Sequence, residues 1–299
     1  MRTSTAGFDV DAYLARTGAV AAPPSASALA DLLAAHVRTF PFDNVDVLLE
    51  QHPGVSLGAV VEKFVGRGRG GYCFEHATLF HAVLLELGYD ATLRLGRVGD
   101  PDTAPRTHLG VVVTLDGRRL LADPGIGVPP LGPIPLEDGA ELDGGIWAHR
   151  IVRVAEGEGS GWQLWRHRSA GWELMHTTDE LPVREVDVAM GHHWTSTSPI
   201  THFRSTLMLA RHGLADDGTP VQTTVTQDGV TERRAGAVSR QRPFDPAELP
   251  GLAARLGAHL TEDETRRLVA KLRTMARPFT GRQRPDDVRV TPLREPRRR

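Results

Sequence analysis

The sequence contains almost no cysteine and no long apolar run. Cys73 is the only cysteine in 299 residues, so the chain cannot form an internal disulfide bond or a zinc site built on paired cysteines. No apolar run approaches the roughly 18 residues that a membrane helix needs. The first residues carry acids and lack the apolar core of a signal peptide. We therefore expect a cytoplasmic protein that does not enter a membrane.

An excess of charge of one sign is also missing. Lysine and arginine total 35 and aspartate and glutamate total 37, which gives a formal net charge of −2. This balance predicts no general basic surface, so no nucleic-acid partner is expected. Lys63 and Lys271 are the only lysines, and the dominance of arginine is typical of a GC-rich bacterial genome. Hydrophobic residues make up 40% of the chain, as expected for a folded protein.

The first third of the chain has helical periodicity. Apolar residues recur at helical spacing from Leu29 to Val37, after the candidate N-caps Ser25 and Ser27. A glycine-rich turn, residues 66–71, precedes Cys73, and the helical pattern that follows ends at Gly88. Cys73 is therefore predicted at the first turn of a helix. The turn lacks the preceding strand and the lysine of a phosphate-binding loop.

The middle of the chain changes to strand periodicity. β-Branched residues dominate residues 108–115, and Asp116-Gly117 then predicts a hairpin. Asp228-Gly229 predicts a second hairpin, and Thr261 to Glu264 resemble a capping box that opens a last helix. These patterns predict an α+β chain. Its predicted parts are a helical domain (1–92), a β-barrel domain (93–200), an α/β domain (201–280) and a disordered tail (281–299).

The two-residue loop at Asp116-Gly117 sets the register of the hairpin around it. Continued pairing places Asp123 opposite Gly110. It also places His108 opposite Gly125. His108 and Asp123 are then diagonal neighbours on one face of the hairpin, about 7–8 Å apart at the backbone. An imidazole and a carboxylate can meet across that distance.

These residues supply the parts of covalent acyl transfer. A carboxylate bonded to one imidazole nitrogen fixes the tautomer and leaves the other nitrogen free to act on a nucleophile. The helix N-terminus and a nearby imidazolium both favour a thiolate at Cys73. The sequence therefore predicts a catalytic triad of Cys73 as nucleophile, His108 as base and Asp123 as the residue that orients the base.

Five sequence elements resemble the arylamine N-acetyltransferase family. They are Arg-Gly-Gly-Tyr-Cys-Phe-Glu-His at 69–76, Thr107-His108, Asp123 to Gly127, Pro-Phe-Asp-Asn at 41–44, and Ser-Thr-Ser-Pro at 196–199 followed by Phe203. The elements run in the order of the family across roughly residues 10 to 275. The resemblance implies a three-part fold with a papain-like Cys-His-Asp core: a helical bundle, a central β-barrel and a C-terminal α/β lid.

The resemblance also implies a ping-pong reaction without a permanently bound cofactor. Acetyl-CoA acylates Cys73, and an aromatic amine or hydrazine then takes the acetyl group. His108 would act as base and acid, and Asp123 would orient it. By the same resemblance, the acceptor pocket would be lined by Phe42, Tyr72 and Phe203, and the CoA site would include Thr107, Gly125 and Gly127.

Several alternatives remain open at the level of sequence. Pro124 stands where the family usually has valine; because proline has no N–H to donate, we expect the hairpin to end or bulge there. Ala77 replaces an asparagine common in bacterial relatives. The same triad would serve an amide synthase that releases or cyclises a polyketide thioester, a papain- or transglutaminase-like hydrolase, or an inactive binding scaffold. His76, His81 and His192-His193 lack the spacing of a metal site, so none is predicted. The oligomeric state stays open.

Overall fold

The computed structural model describes residues 8–143, 145–156 and 159–275. The described α-helices are α1 (Val10–Thr17), α2 (Ala26–Thr39), α3 (Val45–Leu48), α4 (Leu57–Val61), α5 (Cys73–Glu86), α6 (Glu185–Thr197), α7 (His202–Ser205), α8 (Leu249–Arg255) and α9 (Glu262–Met275), with a π-helical turn at Glu62–Gly66 and a 3-10 turn at Pro246–Glu248. The predicted disordered tail lies outside the described residues.

The described strands form two antiparallel sheets. They are β1 (Phe42–Asp43), β2 (Asp90–Val98), β3 (Arg106–Leu115), β4 (Arg118–Leu121), β5 (Ile134–Pro135), β6 (Glu141–Leu142), β7 (His149–Glu156), β8 (Gly159–Arg168), β9 (Gly171–Asp179), β10 (Leu209–Leu214), β11 (Pro220–Thr226), β12 (Gly229–Arg234) and β13 (Arg240–Arg242). One sheet has the order β5-β4-β3-β2-β9-β8-β7-β6, and the other has the order β1-β10-β11-β12-β13.

The helices of the first part begin and end where local chemistry predicts. The Ser25 hydroxyl accepts a hydrogen bond from the Ala28 N–H and caps α2. Helix α5 begins at Cys73, as predicted, and Gly88 follows its end in the left-handed conformation. The apolar face of α5, which includes Phe80 and Leu84, is fully buried in the main hydrophobic core. Burial of this face stabilises the helix that carries the cysteine.

The eight-stranded sheet curls into a nearly closed barrel, because its two edge strands, β5 and β6, approach each other. The predicted hairpin is confirmed: Leu115 pairs with Arg118, and Asp116 and Gly117 both have positive φ, as a two-residue type I′ turn requires. The ladder between β3 and β4 ends at Leu121.

The predicted turn of the second hairpin is wrong by one residue. Thr226 pairs with Gly229, so the turn residues are Gln227 and Asp228. A side chain at Gly229 would place its Cβ 2.7 Å from the Arg242 carbonyl oxygen of strand β13. The glycine therefore serves the close approach of a neighbouring strand, not the turn.

A buried network of charges joins the loop before Cys73 to the C-terminal helix α9. The Lys63 ammonium lies 2.8 Å from Asp46 and 2.7 Å from Glu75, and Arg69 lies 2.8 Å from Asp46 and 3.0 Å from Glu264. Burial would raise the pKa of Asp46 and of Glu75, but Lys63 and the other partners lower each to about 2. Both carboxylates are therefore charged and paired.

The architecture is the α+β arrangement that the sequence predicts, with helices first, then the barrel, then a second sheet with helices. Strand β1 comes from the helical part but pairs with β10 of the last part. The exact domain limits at residues 92, 200 and 280 stay predictions. None of the described helices has both the length and the apolarity needed to cross a membrane.

Candidate active site

The cysteine lies at the end of a tightly packed glycine loop. A Cβ atom at Gly70 would lie 1.8 Å from the Pro41 carbonyl oxygen, so only glycine fits there. The Glu75 carboxylate accepts a hydrogen bond from the Tyr72 N–H at 3.1 Å and closes the first turn of α5. These contacts fix the backbone that carries Cys73, whose side chain is almost fully buried.

His108 and Asp123 meet as the hairpin register predicts. His108 Nε2 lies 2.6 Å from Asp123 Oδ2, and both side chains are fully buried. A Cβ atom at Gly110 would lie 3.2 Å from the same carboxylate oxygen, which places Asp123 over Gly110. The other carboxylate oxygen, Oδ1, accepts the N–H of Gly125 at 3.0 Å.

The predicted pairing of His108 with Gly125 is not formed. The ladder stops at Leu121, three residues before Pro124, which has no N–H to donate. Gly125 packs against Cys73 instead: a Cβ atom there would lie 2.8 Å from the Cα of Cys73. This contact brings the chain after β4 against the N-terminus of α5.

Cys73 therefore lies where the start of β3 and the segment after β4 meet the N-terminus of α5. Its Sγ lies 3.6 Å from the Thr107 carbonyl oxygen, directly before His108. Because Nε2 of His108 is engaged by Asp123, Nδ1 is the nitrogen left for chemistry. Among the described residues, Nδ1 is buried and has no hydrogen-bond partner of normal geometry.

The electrostatics of the site favour an imidazolium at His108. Burial by itself would lower the pKa of His108, but the Asp123 carboxylate, its hydrogen bond and Cys73 raise it to about 10. Burial would likewise raise the pKa of Asp123, but His108 and then His176 hold it far below its usual range. The ion pair between His108 and Asp123 is therefore charged at neutral pH.

His176, on strand β9, is a site residue that the sequence did not reveal. Its Nε2 lies 3.2 Å from Asp123 Oδ2, and its ring centre lies 4.6 Å from that of His108. Strand β9 reaches the site through its pairing with β2, where His176 lies opposite Val98. No local motif links residue 176 to residue 123, so only the three-dimensional structure shows the contact.

His108, Asp123 and His176 together have the donor types of a small metal site, with ligand atoms within 4.8 Å of one another. However, the 2.6 Å separation of His108 Nε2 and Asp123 Oδ2 is that of a hydrogen bond. Two ligands of one tetrahedral zinc, each about 2.0–2.2 Å from the metal, would be more than about 3 Å apart. The geometry is that of an imidazole hydrogen-bonded to a carboxylate.

The residues predicted to line an acceptor pocket form one aromatic cluster beside the glycine loop. The ring centre of Phe203 lies 6.3 Å from that of Phe42 and 5.0 Å from that of Tyr72. The Tyr72 hydroxyl makes a hydrogen bond with His192 Nδ1 of helix α6. A Cβ atom at Gly127 would lie 3.4 Å from the Phe42 ring, so Gly127 also borders the cluster.

The space next to Phe42 is small in this conformation. A cavity lined by Phe42, His76, Pro124, Gly127 and His212, among others, has a volume of about 10 Å³, roughly one water molecule. A groove of about 720 Å³ lies on the outer face of α6 and contains none of the three triad residues. An aromatic ligand can therefore occupy this space only if the aromatic cluster shifts.

The contact between Gly125 and Cys73 gives a prediction. Gly125→Ala should lower the rate of Cys73 acylation by about 100-fold, because its Cβ would displace the nucleophile by a fraction of an ångström or more. Gly132→Ala is the matched control, since its Cβ would meet Leu142 at an ordinary 3.6 Å. Single-turnover acylation of both variants is the measurement. Equal rates in the two would show that the contact does not position the sulfur.

Comparisons with known proteins agree with the geometry. A family model described as N-acetyltransferase matches residues 25–263. The arylamine N-acetyltransferase of Escherichia coli K12 is 34% identical over 211 residues, which cover 69% of this chain and 72% of the relative. The crystal structure of the Nocardia farcinica arylamine N-acetyltransferase superposes with a TM-score of 0.82 at 30% identity, covering 90% of this chain and 97% of that one. The Mycobacterium marinum arylamine N-acetyltransferase in complex with CoA superposes with a TM-score of 0.79 at 31% identity, covering 90% of this chain and 100% of that one.

Proposed function

Because the chain belongs to the arylamine N-acetyltransferase family, it is an acyltransferase, and we propose that Cys73, His108 and Asp123 are its catalytic residues. It transfers an acetyl group from acetyl-CoA to an arylamine or arylhydrazine through an acetyl-cysteine. The observation that carries the assignment of residues is the buried position of the sole thiol, 3.6 Å from the Thr107 carbonyl oxygen, next to a histidine whose Nε2 lies 2.6 Å from a carboxylate. Cysteine, base and orienting acid are the parts that covalent acyl transfer needs.

In the first half-reaction, the Cys73 thiolate attacks the thioester carbonyl of acetyl-CoA. A new carbon–sulfur bond forms to Cys73, the bond to the CoA sulfur breaks, and the proton on His108 Nδ1 goes to the departing thiolate of CoA. The backbone N–H of Cys73 lies at the N-terminus of α5 and is the proposed donor to the oxyanion.

In the second half-reaction, the amine attacks the acetyl-cysteine. Nδ1 of His108, now without its proton, accepts a proton from the amine nitrogen while the bond to the Cys73 sulfur breaks. Acetylation removes the negative charge of the sulfur, one of the contributors that raise the pKa of His108. The loss of that charge makes His108 easier to deprotonate at the stage where a base is required.

Substrates would enter next to the same residues. Phe42, Tyr72 and Phe203 offer aromatic faces to an aromatic acceptor, and Phe42 or its neighbours must move to admit it. Thr107, Gly125 and Gly127 are the proposed contacts of the CoA thioester, because they border Cys73 or Phe42 and the glycines leave the backbone open. The CoA complex of the Mycobacterium marinum relative supports CoA as the donor. The scheme requires no permanently bound cofactor.

The proposal is tested by mixing the protein with acetyl-CoA alone and measuring the intact mass. One acetyl group per chain, mapped to Cys73 and removed on addition of aniline with formation of acetanilide, is the expected result. Because the chain has one cysteine, the mass adduct has a single candidate thiol. Acylation only by carrier-bound polyketide thioesters would instead identify an amide synthase. Absence of any adduct with either donor would contradict acyl transfer through Cys73.

A further inference from the structure

The Asp123 carboxylate is shared by two histidines. Oδ2 lies 2.6 Å from His108 Nε2 and 3.2 Å from His176 Nε2, while Oδ1 accepts the Gly125 N–H. All three side chains are fully buried. The catalytic scheme above uses only His108, so the contact of His176 with the same oxygen requires its own account.

The contact with Asp123 indicates which ring nitrogen of His176 carries the proton. A carboxylate can only accept hydrogen bonds, so His176 must carry its proton on Nε2 to stabilise Asp123. Neither ring nitrogen of His176 makes a hydrogen bond of normal geometry with the described residues, and Nε2 is the nitrogen that faces Asp123 Oδ2, at 3.2 Å. Burial lowers the pKa of His176, and the neighbouring His108 lowers it further. A neutral imidazole with its hydrogen on Nε2 is the form of His176 that the contact with Asp123 would stabilise.

We propose that His176 is a positioning residue that holds the Asp123 carboxylate in place and divides its charge between two imidazoles. The inference rests on the proposed function of the triad. The Gly125 N–H on Oδ1 and the two imidazoles against Oδ2 restrict rotation of the carboxylate about its side-chain bond. An N–H of His176 directed at Oδ2 also weakens the attraction between Oδ2 and the imidazolium of His108. His108 then gives up its proton more readily and is a better acid in the first half-reaction.

The ionisable groups around the two imidazoles come from three other segments: α5, the segment after β4, and β7. His108 on β3 faces Asp123, Cys73 and His176. His176 on β9 faces His108 and Asp123, and His149 on β7 lies near enough to be affected by its charge. The pKa of His149 is lowered to about 4, first by burial and then by Arg166, so His149 is neutral. Asp123 is the carboxylate of this set, and both imidazoles respond to it.

The test follows acetyl transfer from pre-acetylated enzyme to aniline in single turnovers between pH 5.5 and 9.5. His176→Leu removes the N–H next to Oδ2, so Asp123 attracts the proton of His108 more strongly. The acidic limb of the profile, where the rate falls because His108 is protonated, should move up by about one pH unit. The rate should then be about tenfold lower below the limb and nearly normal at high pH. His176→Gln keeps an N–H near the position of Nε2 and should return the limb close to that of the unaltered protein.

The outcomes separate the inference from the proposed function. If the unaltered protein gives no acetyl-Cys73, the proposed function fails. If it is acetylated normally but His176→Leu leaves the acidic limb in place, or lowers the rate equally at every pH, His176 only packs. Nitrogen NMR of the unaltered protein with labelled histidine is independent of variant folding. It should show His176 neutral with its hydrogen on Nε2 at pH 7, and a neutral Nδ1–H form or an imidazolium would overturn the inference.

Discussion

Cys73→Ala is expected to abolish acetyl transfer, with no adduct after incubation with acetyl-CoA and no acetylated amine above the uncatalysed rate. The chain has no other thiol, so no second nucleophile of the same kind can replace it. The alanine keeps α5 intact because it is a better helix former than cysteine and fits the same small space. Intact mass and steady-state rate with an arylamine are the two measurements.

A double variant tests whether the position of the thiol matters as well as its presence. Cys73→Ala combined with Ala77→Cys moves the thiol one turn along α5 to another buried site. The relocated sulfur no longer lies beside Gly125 and the Thr107 carbonyl. We expect no acetylation of this variant either. Acetylation of residue 77, or turnover in the single variant, would show that the geometry around residue 73 is not what activates the thiol.

The sequence could predict the parts of the site that depend on local structure. The Asp116-Gly117 turn sets the register of β3 and β4, so the meeting of His108 with Asp123 follows from a hairpin of short sequence separation. The N-terminal position of Cys73 on α5 follows from the glycine loop and the apolar periodicity behind it. Both features need only neighbouring residues, and the structure contains both.

Contacts between distant segments could not be predicted in this way. Gly125 was expected opposite His108 but packs on Cys73, because the ladder ends before Pro124 and the chain turns toward α5. His176 reaches Asp123 only because β9 lies beside β2 in the barrel, a neighbour relation that periodicity does not encode. The docking of α5 against the barrel is likewise a property of the whole core, and the family resemblance supplied it where the residues alone did not.

Asp123→Asn is expected to lower the rate of Cys73 acetylation by about 10⁴-fold. The same substitution has an effect of this size in other triads, because it imposes the wrong tautomer on the histidine. The asparagine carbonyl oxygen can still accept the Gly125 N–H, which places the amide NH₂ group toward His108 and His176. That group donates, so His108 must present Nε2 without a proton and carry its proton on Nδ1. A neutral His108 with its proton on Nδ1 can neither form an ion pair with the Cys73 sulfur nor accept a proton from an amine.

Asp116→Asn is the matched control, because it makes the same chemical change in the same hairpin. Residue 116 has a φ of 51° in the turn, a conformation that asparagine adopts readily. We expect normal acetylation of that variant and an unchanged midpoint of thermal unfolding. Single-turnover acetylation by acetyl-CoA, followed by intact mass, compares the two substitutions directly. If Asp123→Asn folds and is acetylated within about tenfold of the normal rate, then Asp123 does not set the tautomer of His108, and another group must orient the base.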